Sequence, residues 1–103
     1  MDKLLNMLGL GVKAGKAVFG AEMTMRAITK NHGVRLVILA SDASENTREE
    51  FIHRCKVRQI PCLTYATKEA LGKAAGKSPK AVVSIIDENI AKAIANIHGG
   101  GKA

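Results

Sequence analysis

Two stretches of this sequence, VRLVILA (34–40) and AVVSII (81–86), are almost wholly apolar and rich in β-branched residues. A strand with one face in water alternates polar and apolar side chains. A strand without that alternation must be covered on both faces, as in a sheet lying between helices. Whatever else the chain does, it has to supply helices for two sides of a sheet.

The rest of the sequence supplies them. Leu4, Leu5, Leu8 and Val12 recur at helical spacing, so 3–13 reads as an amphipathic helix in which Gly9 and Gly11 cost about 1 kcal/mol each relative to alanine. KAVFG (16–20) is a short strand-like piece ended by Gly20. AEMTMRAITKNHG repeats the helical pattern through Ala21, Met25 and Ile28, with Gly33 as its stop. After VRLVILA comes SDASENTREEFIHRCKVR. Ser44 suits a helix cap there, Glu45, Glu49 and Glu50 favour the positive end, and Phe51, Ile52 and Cys55 form the apolar stripe. IPCLTY reads as a strand opened by Pro61. TKEALGKAAG reads as a short helix capped by Thr67 and stopped by Gly76. DENIAKAIANIH, after AVVSII, reads as a helix capped by Asp87 with Ile90, Ile94 and Ile97 inward, and GGGKA as a flexible tail.

The order is α-β-α-β-α-β-α-β-α. It predicts an α/β fold with a largely parallel or mixed sheet and helices on both faces, a three-layer αβα sandwich. The 103 residues suit one domain, 1–98, followed by the tail at 99–103, with no linker and no internal repeat. Aromatic residues are only Phe19, Phe51 and Tyr65, so the core has to be aliphatic. No apolar run is long enough to cross a bilayer, and lysines interrupt the N-terminal one, so a cytoplasmic protein with no membrane partner is expected. Cys55 and Cys62 do not form a CxxC pair. They read as small hydrophobes, and with no histidine placed to complete a set, no metal site and no cofactor are expected.

The charge is the strongest functional signal. Sixteen Lys and Arg against nine Asp and Glu give a net charge of +7, which points to a polyanionic partner. The signs are also segregated. From Lys3 to Ser41 six basic residues face one acid, Glu22; from Ala70 to Ile86 Lys73, Lys77 and Lys80 face none; between them DASENTREE carries four acids and one arginine. Three features of the sequence bear on chemistry. GLGVKAG has dinucleotide-like glycines, but it lies within a helix rather than after a strand. SDASENT follows a strand, yet Asp42 and Glu45 would repel an anion, which favours ordinary capping by Ser44. His32, His53 and His98 join no catalytic set, so an enzyme is not expected. That leaves KAGKAVFGAEMTMR, where Lys13, Lys16 and Arg26 bracket a helix start. Free N–H groups there carry partial positive charge, and Gly20 and Ala21 allow close approach by RNA.

The same residues carry a resemblance. GxxxxxRAI, then G…RLVILASDA, then IPCLTY…EALGKAAGKSPKAVVSIIDEN, in this order over Leu8 to Ala93, resembles the kink-turn RNA binders of the large-ribosomal-subunit protein seven-Ae type, and within them the bacterial YlxQ-like branch. The resemblance implies a mixed four-stranded sheet between helices, no enzyme activity, and binding of kinked RNA with tandem sheared G·A pairs. It places Gly20, Ala21, Glu22, Met23 and Arg26 in the widened groove at the kink. It places the loop Lys77, Ser78, Pro79 and Lys80 over an extruded nucleotide, where RNA is distorted enough to be read.

Three departures adjust that expectation. Glu22-Met23 stands where the strongest binders of the family carry Asn-Glu, Arg26 stands where lysine is usual, and KSP replaces an apolar triplet. Affinity should therefore rest on phosphate contacts from Lys13, Lys16, Lys77 and Lys80 more than on base readout. The expected partner is structured RNA, bound by a monomer. The rivals are a protein-interaction module of the same fold, with Met23 as a contact, and an enzyme using SDASENT.

Overall fold

The computed structural model describes residues 2–99. Nine elements follow the predicted order: α1 Lys3–Lys13, β1 Ala17–Phe19, α2 Ala21–Thr29, β2 Leu36–Leu39, α3 Glu45–Arg58, β3 Cys62–Thr64, α4 Lys68–Ala74, β4 Val82–Ile85 and α5 Glu88–His98. The four strands form one sheet in the order β1-β4-β2-β3. Only β2 and β3 are parallel; β4 runs antiparallel to both neighbours, with Phe19 opposite Val83 and Leu36 opposite Ile85. The sheet is therefore mixed, as the resemblance implied. The predicted tail 100–103 lies outside the described residues, while Gly99 closes α5 by donating to Ala95 O at 2.9 Å.

The two apolar strands are covered on both sides, as their composition required. Leu36, Ile38, Val83 and Ile85 point to a cluster with Leu4, Leu8, Leu71 and Ile94, from α1, α4 and α5. Val37, Leu39 and Val82 point the other way, to Ala27, Ile28, Phe51 and Cys55 from α2 and α3. Period-two alternation has thus sorted one strand's side chains into two cores. Gly9 and Gly11 gain a reason here: a Cβ would lie 3.4 Å from Ala74 O at Gly9 and 3.4 Å from Ile90 Cγ2 at Gly11, so α1 packs closely on α4 and α5. Thr24 and Ser84, the two buried polar side chains among the described residues, face each other at 3.4 Å between α2 and β4.

Two local expectations are corrected. The α2 helix ends at Thr29, not at Gly33. Asn31, at φ 56°, makes the left-handed turn, with Asn31 N donating to Ile28 O at 3.1 Å and His32 N to Ala27 O at 2.9 Å. Ile52 is 47% exposed, because one residue of helix turns it about 100° from Phe51 and off the buried face. Cys55 and Cys62 do behave as core residues. The Cys55 thiol shares a hydrogen bond with Cys62 and is buried, and both effects push its pKa up and keep it protonated.

The strand ends define the geometry used below. At one end β1, β2 and β3 finish and β4 begins. We call this the upper end. Here α2, α3 and α4 start directly after β1, β2 and β3. The start of α1 is tied to the same end by Tyr65, whose hydroxyl donates to Asp2 Oδ2 at 2.6 Å. Asp2 also caps α1, accepting from Leu5 N at 2.9 Å. The Tyr65 hydroxyl and the Leu5 amide hold the Asp2 carboxyl below the usual carboxylate range. The contribution is therefore fully present above about pH 4 and is lost as pH falls through the lowered folded value. Tyr65→Phe should lower stability slightly at neutral pH, and that difference should vanish in acid; urea unfolding at both pH values checks it.

Candidate nucleic-acid interface

Four helices present their positive poles at the upper end, but they are not equally available. Ser44 Oγ accepts from Thr47 N at 3.1 Å on α3. On α4, Thr67 Oγ1 accepts from Ala70 N at 3.1 Å and Asp42 Oδ1 from Lys68 N at 2.8 Å. With Asp2 on α1, three of the four starts are occupied by the chain's own oxygens. SDASENT is thereby explained as capping, which removes the observation that favoured an enzyme site there. The fourth start, α2, has Gly20 as its cap residue and no side-chain cap. Among the described residues no acceptor is paired with the amides of Ala21, Glu22 and Met23. Gly20 sits at φ 88°, ψ 156°, a region open almost only to glycine, so the residue that leaves the amides bare is also the one that makes the turn.

The loop before β4 is brought to this spot by the sheet. Gly20 N donates to Val82 O at 2.8 Å, and Ala40 N donates to Ala81 O at 2.8 Å. The segment Lys77–Lys80 therefore leads straight to the start of α2. It is folded back over α4 at Gly72, where an added Cβ would fall 2.6 Å from the Ser78 carbonyl carbon and 2.8 Å from Pro79 Cα. Lys80 N donates to Lys68 O at 3.0 Å, and the Lys77 ammonium lies 5.1 Å from the centre of the Phe19 ring. Lys77, Ser78 and Pro79 are exposed. Gly20, Ala21, Glu22, Met23, Lys77, Ser78, Pro79 and Lys80 are thus gathered at one end by β1 and β4.

Arg26 stands about 8 Å down α2, in a groove with Met25, Lys30, Glu50 and Phe51 between α2 and α3. Its guanidinium lies 3.8 Å from the Glu22 carboxylate, with both side chains largely in water. That pair is weak, and Arg26 stays available to a stronger anion.

Lys13 and Lys16 do not join the cluster. Ile86 N donates to Lys16 O at 2.9 Å, which puts Lys16 at the opposite end of β1 from Gly20, roughly 13 Å of extended chain away. Lys13 faces a groove with Lys73 between α1 and α4, on the other side of the sheet from α2. Their nearness to Gly20 in sequence is undone by a strand that carries the chain across the whole sheet. In exchange the fold brings in Lys68 and Phe19. Sequence distance hides both: Lys68 meets Lys80 twelve positions on, and Phe19 meets Lys77 from the end of β1.

A cavity of about 630 Å³ lies at the other end, lined by Arg35, Arg58, Lys92 and Glu88 among others. Two of its cations have local partners. Arg58 donates to Thr29 O at 3.4 Å where α2 ends, and Lys92 pairs with Glu88 at 3.1 Å. Helix C-termini also carry the pole that repels anions. Among the described residues no helix is long and apolar enough to cross a membrane, and no three His, Cys, Asp or Glu residues are grouped as metal ligands.

Known proteins share this arrangement. Residues 2–95 match the family described as Ribosomal protein L7Ae/L30e/S12e/Gadd45. The chain is 33% identical over 91 residues to the RNA-binding protein YlxQ of Enterococcus faecium, covering 88% of this chain and 86% of that one. A solved protein of unknown function from Bacillus halodurans shares the fold at a TM-score of 0.89 and 32% identity, over 94% of this chain and 97% of the other. The Giardia lamblia 15.5kD RNA binding protein does so at 0.79 and 27% identity, over 94% and 82%. The sheet order, the helix layers and the match along nearly all the described residues make this chain a member of the ribosomal protein L7Ae/L30e/S12e/Gadd45 family.

Proposed function

We propose that this protein is a non-catalytic binder of structured RNA, and that it takes RNA bent sharply enough to place a widened groove on the start of α2. One observation carries the reading: the single helix start without a side-chain cap at the upper end is the one flanked by Lys77, Lys80 and Lys68. Bare amides and lysines together suit a phosphate backbone. The names of the relatives point the same way: YlxQ of E. faecium and the Giardia protein are both RNA-binding proteins.

In this reading the amides of Ala21 to Met23 meet the kink, Arg26 leaves Glu22 for a phosphate or a guanine edge, and Lys77 to Lys80 cover an extruded nucleotide. Lys13 and Lys16 contribute only to the long-range field. The unit acts as a cytoplasmic monomer.

Arg26→Ala should weaken binding to a kink-turn RNA about tenfold in a gel shift, with a straight duplex of equal length as control. Equal binding to both RNAs would remove the kink from the proposal, and an unchanged affinity would remove Arg26. The second reading, a protein-interaction module, is favoured by Met23, which is 52% exposed at the helix start. It predicts no retention of either RNA.

A further inference from the structure

We propose that Phe19 is a positioning residue for RNA binding, holding the Lys77 ammonium beside the open start of α2; this rests on the RNA reading above. Of the three aromatic residues, Phe51 is buried in the α2/α3 core and Tyr65 is engaged by Asp2. Phe19 differs from both. It ends β1 opposite Val83, immediately before Gly20, and is only partly buried against the α1/α4/α5 core. The Lys77 ammonium lies over its ring, 5.1 Å from the ring centre. A ring face attracts such a cation.

The lysine is fixed from its other end as well. Gly76, at φ 70°, closes α4 by donating to Lys73 O at 3.0 Å, and Lys77 N donates to Gly72 O at 2.8 Å. A free lysine side chain is one of the most mobile in a protein, and a phosphate that captures it must order it. Here backbone and ring have already done much of that ordering, and the ring lies one residue from the amides the phosphate would also meet. An ammonium has three donors, so contact with the ring leaves donors for an anion.

A purely structural role, pinning the loop to β1, would show in stability alone. The test is a double-mutant cycle on binding to a kink-turn RNA, with thermal melts of each protein. Phe19→Leu keeps the apolar packing and should weaken binding about threefold. Lys77→Ala should weaken it by more and lower the salt slope by about one. The double variant should bind no worse than Lys77→Ala, and Phe19→Tyr should bind as the parent does. Losses that multiply in the double variant would overturn the proposal, as would a Phe19→Leu protein that binds normally. If Phe19→Leu does not fold, Phe19→Trp replaces it; its stronger ring should tighten binding at least twofold, and an unchanged affinity overturns the idea. If Phe19→Leu is silent while Arg26→Ala and Lys77→Ala weaken binding, only the positioning role falls. If those two are silent as well, the RNA reading falls with it.

Discussion

Gly72→Ala should lower the stability of the folded protein by about 1–2 kcal/mol and weaken RNA binding at least tenfold. The sign is the informative part. Inside a helix, alanine is favoured over glycine by about 1 kcal/mol, so propensity alone predicts a more stable protein. Against that stands the contact at Gly72, where the new carbon would sit 2.6 Å from the Ser78 carbonyl carbon and 2.8 Å from Pro79 Cα. Both are backbone atoms, so no rotamer change relieves them. Overpacking of this kind costs about 1–3 kcal/mol or more, and it wins. The loop is exposed and can lift, which keeps the cost from being larger, but lifting it pulls Lys80 away from Lys68 O and carries Lys77 off Phe19. Stability falls moderately while the RNA surface is dismantled. Thermal unfolding should show a drop of about 5–15 °C for a domain of this size. A higher melting temperature would mean that the loop does not rest on α4.

Raising monovalent salt from about 50 to about 200 mM should weaken RNA binding about a hundredfold. Arg26, Lys68, Lys77 and Lys80 are the cations that the fold places on or beside the open helix start. Each phosphate they neutralise releases counterions worth close to one power of salt, so the slope of log affinity against log salt should be roughly −3 to −4. Lys13→Ala and Lys16→Ala should leave that slope nearly unchanged, because both residues lie away from the cluster. A slope lowered equally by alanine at Arg26, Lys68, Lys77, Lys80, Lys13 and Lys16 would mean that net charge, and not a built surface, drives binding. A flat response would mean that phosphates are not what the protein holds.

Much of this was legible in the sequence. Strands without alternation demanded cover on both faces, and Ser44, Thr67 and Asp87 mark helix starts through their own oxygen atoms. Those are local properties, fixed by a few neighbouring residues. What could not be read was set by pairing at long range. Alternating helices and strands suggest parallel neighbours, yet β4 inserts between β1 and β2 with the opposite sense. The same insertion decided the site. It joined Gly20 to Val82, and so to the Lys77–Lys80 loop, while the three residues of β1 carried Lys16 to the far end. Asn31 ended α2 early because a left-handed turn needs only a residue that tolerates it, and asparagine comes before Gly33.

One of the two inner strands of this sheet, β4, is also the last of the four to be synthesised. In a nascent chain that has not reached Val82, β1 has no strand to pair with, and Gly20 lacks the carbonyl that fixes its amide. The surface assigned to RNA is therefore complete only once β4 has been made and has paired between β1 and β2.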